Sequence, residues 1–157
     1  MGSDISYVSC TVDWESCRVD GDYKHGPGQI EINGQIYEKG IVVHAPGKVT
    51  FQLDGLFDKL TTCIGISKVA DAPNCGVTSG DAKFRVLGDG QVLEDWKVKT
   101  SPEDSTCFDV DITDVNELVL ETAKKDSKGC NLSTWADAKV HKRGYSNFFY
   151  FQRIKVL

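Results

Sequence analysis

The stretch Gln29-Ile30-Glu31-Ile32-Asn33-Gly34-Gln35-Ile36-Tyr37-Glu38-Lys39-Gly40-Ile41-Val42-Val43-His44-Ala45 decides the fold class of this 157-residue chain. Ile30 and Ile32 alternate with polar residues up to Asn33-Gly34, and Ile36 and Tyr37 resume after it. β-Branched residues at period two suit a pleated strand, and Asn-Gly supplies the left-handed pair that a tight hairpin turn needs. Beyond Gly40 the pattern changes to a near-continuous apolar run, Ile41 to Ala45, which reads as a strand buried on both faces. Lys48 to Leu53 then returns to alternation, with Val49, Phe51 and Leu53 set against Lys48, Thr50 and Gln52, the pattern of a strand covering a core.

The rest of the chain follows suit. Leu60 to Ser67 is apolar and strand-sized, and Lys83 to Leu87 runs through Gly88-Asp89-Gly90 into Gln91 to Val98, a second hairpin. Phe108 to Ile112, Leu118 to Glu121, Trp135 to Val140 and Phe148 to Val156 complete about nine strands, and no amphipathic segment is long enough for a sizeable helix. The class is therefore all-β, a sandwich or barrel. The two longest connections, roughly residues 69 to 82 and 99 to 106, contain Pro73 and Pro102. A chain of this length fits one compact unit, expected over residues 4–157, with Met1-Gly2-Ser3 read as a cloning remnant.

No apolar run is long enough for a membrane span, and the first residues lack the regions of a signal peptide, so no membrane insertion is expected. The formal net charge of -5 speaks against a nucleic-acid partner, and His141-Lys142-Arg143 reads as a solvated loop. Six cysteines, Cys10, Cys17, Cys63, Cys75, Cys107 and Cys130, form an even set that suits an oxidising, secreted or extracellular setting. Their connectivity stays open: Cys10 with Cys17 would close a short loop, and Cys63 with Cys75 would tie a strand end to the loop after it. The absence of a C-x-x-C pair argues against a zinc ribbon or a thioredoxin-like site.

Several blocks, taken in order, carry a family pattern. They are Tyr7-Val8-Ser9, Trp14, Tyr37-Glu38-Lys39-Gly40-Ile41-Val42-Val43-His44-Ala45, Phe51 to Gly55, Cys63 to Ile66, Gly88-Asp89-Gly90, Phe108 to Thr113 and Trp135-Ala136-Asp137-Ala138. Over residues 7 to 140 the chain resembles the NPCBM domain, also classed as carbohydrate-binding module family 51. The resemblance implies a jelly-roll β-sandwich that binds galactose-type glycans, that is often an appendage of a larger glycoside hydrolase, and that often holds a structural Ca2+. Two departures stand out: six cysteines are unusual for the family, and its acidic, glycine-rich stretch before W-A-D-A is replaced here by Lys124 to Thr134.

Sugar recognition needs an aromatic face for pyranose C–H groups and fixed polar groups for the hydroxyls. Trp14 with Asp13, Trp135 with Asp137, and His44 are the ligand-binding candidates. Trp135 and His44 each have a competing reading as core residues. Trp96 shares a strand face with Val92 and Val98 and is expected to pack inward. Asp20, Asp22 and Asp81 are the candidate donors to Ca2+, with ordinary polar turns as the alternative. His25 and His141 receive no role, and Asn131-Leu132-Ser133 fits an N-glycosylation sequon. No nucleophile elbow or metalloprotease motif occurs, so a non-catalytic module is expected; the competing class is an adhesive extracellular domain that binds protein. The site is expected at one end of the sandwich, where the loop after His44, the segment around Trp14 and the loop leading into Trp135 converge.

Overall fold

A computed structural model describes residues 5–12, 16–67, 80–126, 130–144 and 151–155, with side chains placed for residues 8–12, 16–67, 80–126 and 130–144. Residues 1–3, Asp13, Trp14, Pro73 and Cys75 lie outside the described residues. Thirteen strands and no helix occur among the described residues, so no helix is long and apolar enough to cross a membrane. The excess over about nine comes from short pieces and from an opening strand in a segment whose alternation is weak.

Two layers form a sandwich. The first contains β2 (Arg18–Val19), β5 (Gly40–His44), β7 (Phe57–Ile66), β10 (Thr106–Asp111) and β12 (Leu132–Lys142), with β12 running between β5 and β7 and with β10 at the edge. The second runs in the order β1 (Ile5–Val12), β6 (Gly47–Gln52), β11 (Glu117–Ala123), β8 (Asp81–Gly88), β9 (Gln91–Thr100), all antiparallel. The last strand, β13 (Phe151–Lys155), pairs antiparallel with the far half of β12 and parallel with the start of β1, and so links the layers. The strand expected at Phe148 to Val156 is thus present over Phe151–Lys155 and occupies that seam.

The core lies between the layers. Ile41, Val43, Leu60, Ile64, Trp135 and Val140 of the first meet Val49, Phe51, Phe84, Val86, Leu118 and Leu120 of the second. Burial of this kind contributes about 1.5–3 kcal/mol for each large apolar side chain. A second, smaller cluster of Ile30, Val42 and Leu132, flanked by Tyr23 and Tyr37, sits on the other side of β5. That cluster explains the apolar run at 41–45: Ile41 and Val43 face the main core, while Val42 faces the hairpin of β3 (Ile30–Ile32) and β4 (Gln35–Tyr37). The hairpin turns as expected, with φ of 46° at Asn33 and 88° at Gly34.

Gly40 marks the closest approach of β5 to β12. Its φ is 152°, and a Cβ built there would stand 2.7 Å from the Trp135 carbonyl oxygen, so no other residue fits without backbone movement. Just beyond, β12 bulges between Ala136 and Lys139, with Asp137 at φ 47°. There β12 exchanges its neighbour, from β5 up to Ala136 to β13 from Lys139.

Cys10 is joined to Cys17, and Cys63 to Cys107. The second bond corrects the local pairing of Cys63 with Cys75. β10 lies beside β7 with Cys107 directly opposite Cys63, so strand register and not nearness in sequence chose the partner. Cys130 is also disulfide-bonded, and no described cysteine is free.

Candidate functional site

Strand register shows which segments share an end of the sandwich. Val12 and Thr122 both lie opposite Gly47, His44 lies opposite Leu132, and Thr100 lies opposite Asp81. The ends of β1, β5, β9 and β11 therefore meet the beginnings of β6, β8 and β12 at one end. Backbone hydrogen bonds knit it together: the Ala45 N–H donates to the Asn131 carbonyl at 2.9 Å, Ser67 N–H to Leu132 at 3.0 Å, and Ser101 N–H to Gly80 at 2.8 Å. Three parts of the chain distant in sequence are thus held side by side: the end of β1 at Val12, the turn 44–47 and the approach to β12.

The segment after Val12 is fastened on both sides of residues 13–15. Val12 pairs with Gly47, and Cys17 is bonded to Cys10 within β1. Asp13 and Trp14 belong to that span and are outside the described residues. His44 closes β5 half-buried, and the cis bond Ala45-Pro46 carries the chain into β6. Asp81 accepts the Asp126 N–H at 3.2 and 3.3 Å and donates its own N–H to Asn131 Oδ1 at 3.4 Å.

Two ligand candidates are not at this end. Trp135 is fully buried, with Phe84 edge-on at 5.2 Å between ring centres. A ring enclosed on both faces cannot receive a sugar, so its place among the ligand residues is corrected to the core. Asp137 sits at the bulge of β12, five residues beyond the position opposite His44, which at strand rise is about 17 Å away. It pairs with Lys139 at 2.9 Å and borders a shallow depression of about 170 Å³ lined also by Thr61, Cys63, Cys107, Phe108 and Asp109.

The candidate calcium donors divide in the same way. Asp20 Oδ1 accepts the Gly40 N–H at 3.0 Å, and Oδ2 meets Lys39 Nζ at 3.0 Å. Asp22 is buried, and its oxygens accept the N–H groups of Lys24 (2.9 Å), His25 (2.6 Å) and Glu31 (2.8 Å). Carboxylates occupied by donors in this way act as turn anchors and do not fit a calcium shell of several oxygens. Asp81 is in the other layer, and no group of three His, Cys, Asp or Glu side chains placed to hold a metal occurs among the described residues.

Sequence reasoning missed three features. His25, without an assigned role, stands between Asp22 (Nδ1 at 3.2 Å) and Glu31 (Nε2 at 3.5 Å) and helps fix the loop over the second cluster. Trp96 does not pack inward: it faces outward beneath Arg85 and Lys83, whose charged atoms lie 4.4 and 5.1 Å from its ring centre. The signal was present in β8, where Lys83 and Arg85 alternate with Ala82, Phe84 and Val86 and mark the outer face. The sequon is also corrected, because Asn131 is fully buried and a glycan on it has no room in this fold.

Comparison with known proteins places the chain. No curated protein matches it. Among solved structures it is similar to the second CBM51 module, with the INT domains, of Clostridium perfringens ZmpB, in complex with GlcNAc: 23% identity over 87% of this chain and 30% of that one, TM-score 0.73. It is similar also to the CBM51 of Clostridium perfringens GH95 in complex with methyl-galactose (24% identity, 87% and 94% covered, TM-score 0.70). The tandem CBM51 modules of the family 98 glycoside hydrolase Sp3GH98 from Streptococcus pneumoniae follow (16% identity, 85% and 44% covered, TM-score 0.67). This chain therefore spans less than a third of the first of these, and at such identities the likeness carries the fold, a β-sandwich of the same kind. The family model for the NPCBM/NEW2 domain matches residues 1–141, and the chain belongs to that family.

Proposed function

We propose that this chain is a non-catalytic carbohydrate-binding module, part of a larger extracellular protein, that takes a terminal galactose-type sugar at the end of the sandwich gathering Val12, His44 to Gly47, Asp81 and Asn131. The observation that carries the reading is the fastening of three chain-distant segments at one point, which supplies the pre-formed polar rim that a sugar needs. Support for the ligand class comes from family membership and from similar modules solved with methyl-galactose and with GlcNAc. Support for a non-catalytic role comes from a similar structure in which two CBM51 domains stand beside a separate M60 catalytic domain. The disulfides favour an oxidising, extracellular setting.

Trp14 is the stacking platform in this reading, with Asp13 and His44 as hydroxyl partners. A single sugar buries little area, so the dissociation constant is about millimolar to high micromolar, equivalent to roughly 4–6 kcal/mol. The test is a calorimetric titration with methyl-galactoside: in this reading Trp14→Ala abolishes binding and leaves the thermal midpoint within about 1 °C of the parent. Retained binding in Trp14→Ala, or release of sugar from a panel of fluorogenic glycosides, would overturn the reading. The adhesive alternative receives no comparable support, because the exposed large apolar residues Val8, Ile36, Leu56, Val92 and Val98 are scattered over separate elements, with only Val92 and Val98 on one strand.

A further inference from the structure

Trp96 is half-buried on the outer face of β9, the last strand of its layer. The neighbouring strand β8 turns Lys83 and Arg85 to the same side, with Arg85 Cζ 4.4 Å and Lys83 Nζ 5.1 Å from the indole centre. Both cations pack on the ring. β9 is an edge among the described strands, and the partly exposed indole keeps some of its surface open to solvent.

The cations are differently committed. Arg85 Nε donates to Glu121 Oε2 at 2.5 Å, and Lys48 Nζ also reaches Glu121, at 3.6 Å. Lys83 is held against the ring, and no described carboxylate pairs with it. Glu121 thus serves Lys48 and Arg85 together and leaves Lys83 without a carboxylate among the described residues, so this patch is locally cationic on a chain of formal net charge -5. The acidic neighbours are turned to other tasks: Glu94 pairs with Lys97 at 2.7 Å, and Asp95 accepts the Trp96 N–H at 2.7 Å. Val98, opposite Lys83 and 44% exposed, adds an apolar flank.

We propose that this outer face is a second saccharide site, specific for an acidic sugar. The solvent-exposed part of the indole takes the C–H side of the pyranose, and Lys83 takes its carboxylate or sulfate in a charge-assisted hydrogen bond. Arg85, fixed by Glu121, is a positioning residue that keeps the ring upright. The site lies on the outer face of the second layer, with Lys83 two residues along β8 from Asp81 at the sandwich end, and stands whether or not that end binds galactose.

The experiment is a titration followed in 15N–1H spectra, reading the Trp96 indole N–H and the Lys83 and Val98 amides. Three probes of equal length are used: oligogalacturonate, a sulfated galactan fragment and a neutral galactan fragment. The acidic probes shift the Trp96 signals and the neutral one does not, and the shift weakens as salt is raised. Response to the carboxylated probe alone, the sulfated probe alone, or both supports the site and identifies its anion. Lys83→Gln weakens acidic binding about tenfold at an unchanged thermal midpoint, and Lys83→Glu abolishes it. Equal shifts with neutral and acidic probes, no shift at Trp96, or full affinity in Lys83→Gln overturns the proposal. Shifts confined to Ala45, Gly47 and Gly80 support the galactose reading while overturning this one.

Discussion

Trp135 and Trp96 sit in strands of almost equal length and meet opposite fates. β12 is flanked on both edges, by β7 along its length and by β5 and then β13 on the other side, and its outer face is covered in part by the second cluster; Trp135 has no exposed surface. Among the described strands β9 is flanked by β8 alone, and its inward face ends in Lys97 and Lys99. Lys99 is buried there, its ammonium bonded to Thr106 Oγ1 at 3.1 Å and paired with Glu103 at 3.3 Å. At an edge the inner face is already polar, so an aromatic residue gains no more by turning in than by stacking against cations outside. Position in the sheet, and not alternation, decides what a tryptophan does.

The largest expected effect tests that contrast. Trp135→Ala removes the biggest side chain of the core and the edge-on partner of Phe84, and it should cost about 3–5 kcal/mol in denaturant unfolding. Trp96→Ala removes only a half-buried stack with Arg85 and Lys83 and should cost about 1 kcal/mol. Comparable losses for the two would show that the edge strand is as much part of the core as the centre.

Much of this architecture was legible and some was not, for physical reasons. The hairpin at Asn33-Gly34, the doubly buried run after Gly40 and the alternation of Lys48 to Leu53 were readable because each is a local consequence of turn chemistry or of period two. The Cys63–Cys107 bond was not, since it depends on β10 lying beside β7, a neighbourhood that no local pattern encodes. The orientation of Trp96 failed for a related reason: alternation assigns residues to two faces without saying which is inside. Of the candidate site, Val12, the turn 44–47 and residues 130–132 lie together, as general sandwich geometry suggests, while Asp13 and Trp14 fall outside the described residues. The separate placement of Asp137 turned on one bulge, invisible in W-A-D-A.

An intermediate effect is expected at Asp22, which sharpens the comparison by testing how β5 becomes buried on both faces. Its buried carboxylate anchors three backbone N–H groups of the loop that carries Ile30 over Val42. Asp22→Ala leaves those donors without an acceptor and should cost about 1–3 kcal/mol. Hydrogen exchange should quicken at Lys24, His25 and Glu31 and stay slow in β6 and β11. Loss of protection throughout the sandwich would mean that the second cluster is a part of the main cooperative unit.

The smallest effect belongs to the far half of β12, where burial thins out and His141 meets Thr61 Oγ1 at 3.0 Å. Partial burial, reinforced by the nearby Lys59 ammonium, holds the imidazole below its ordinary value; Lys139 acts in the same sense, while Asp58 and Asp109 oppose it. A base whose folded value is depressed prefers to stay neutral in the native state, so in the window below about 6.5 the unfolded chain binds more protons than the folded one. Stability from this group is complete above that value and is lost as the pH falls through it toward the folded value. His141→Gln, which keeps a polar partner for Thr61 but does not titrate, should therefore give a shallower decline of unfolding free energy between neutral and mildly acidic pH. The expected change is smaller than those above, because the ring is only partly buried and the nearby charges act in opposing senses. An equal slope in parent and variant would place the acid sensitivity elsewhere and leave His141 a passive member of the strand.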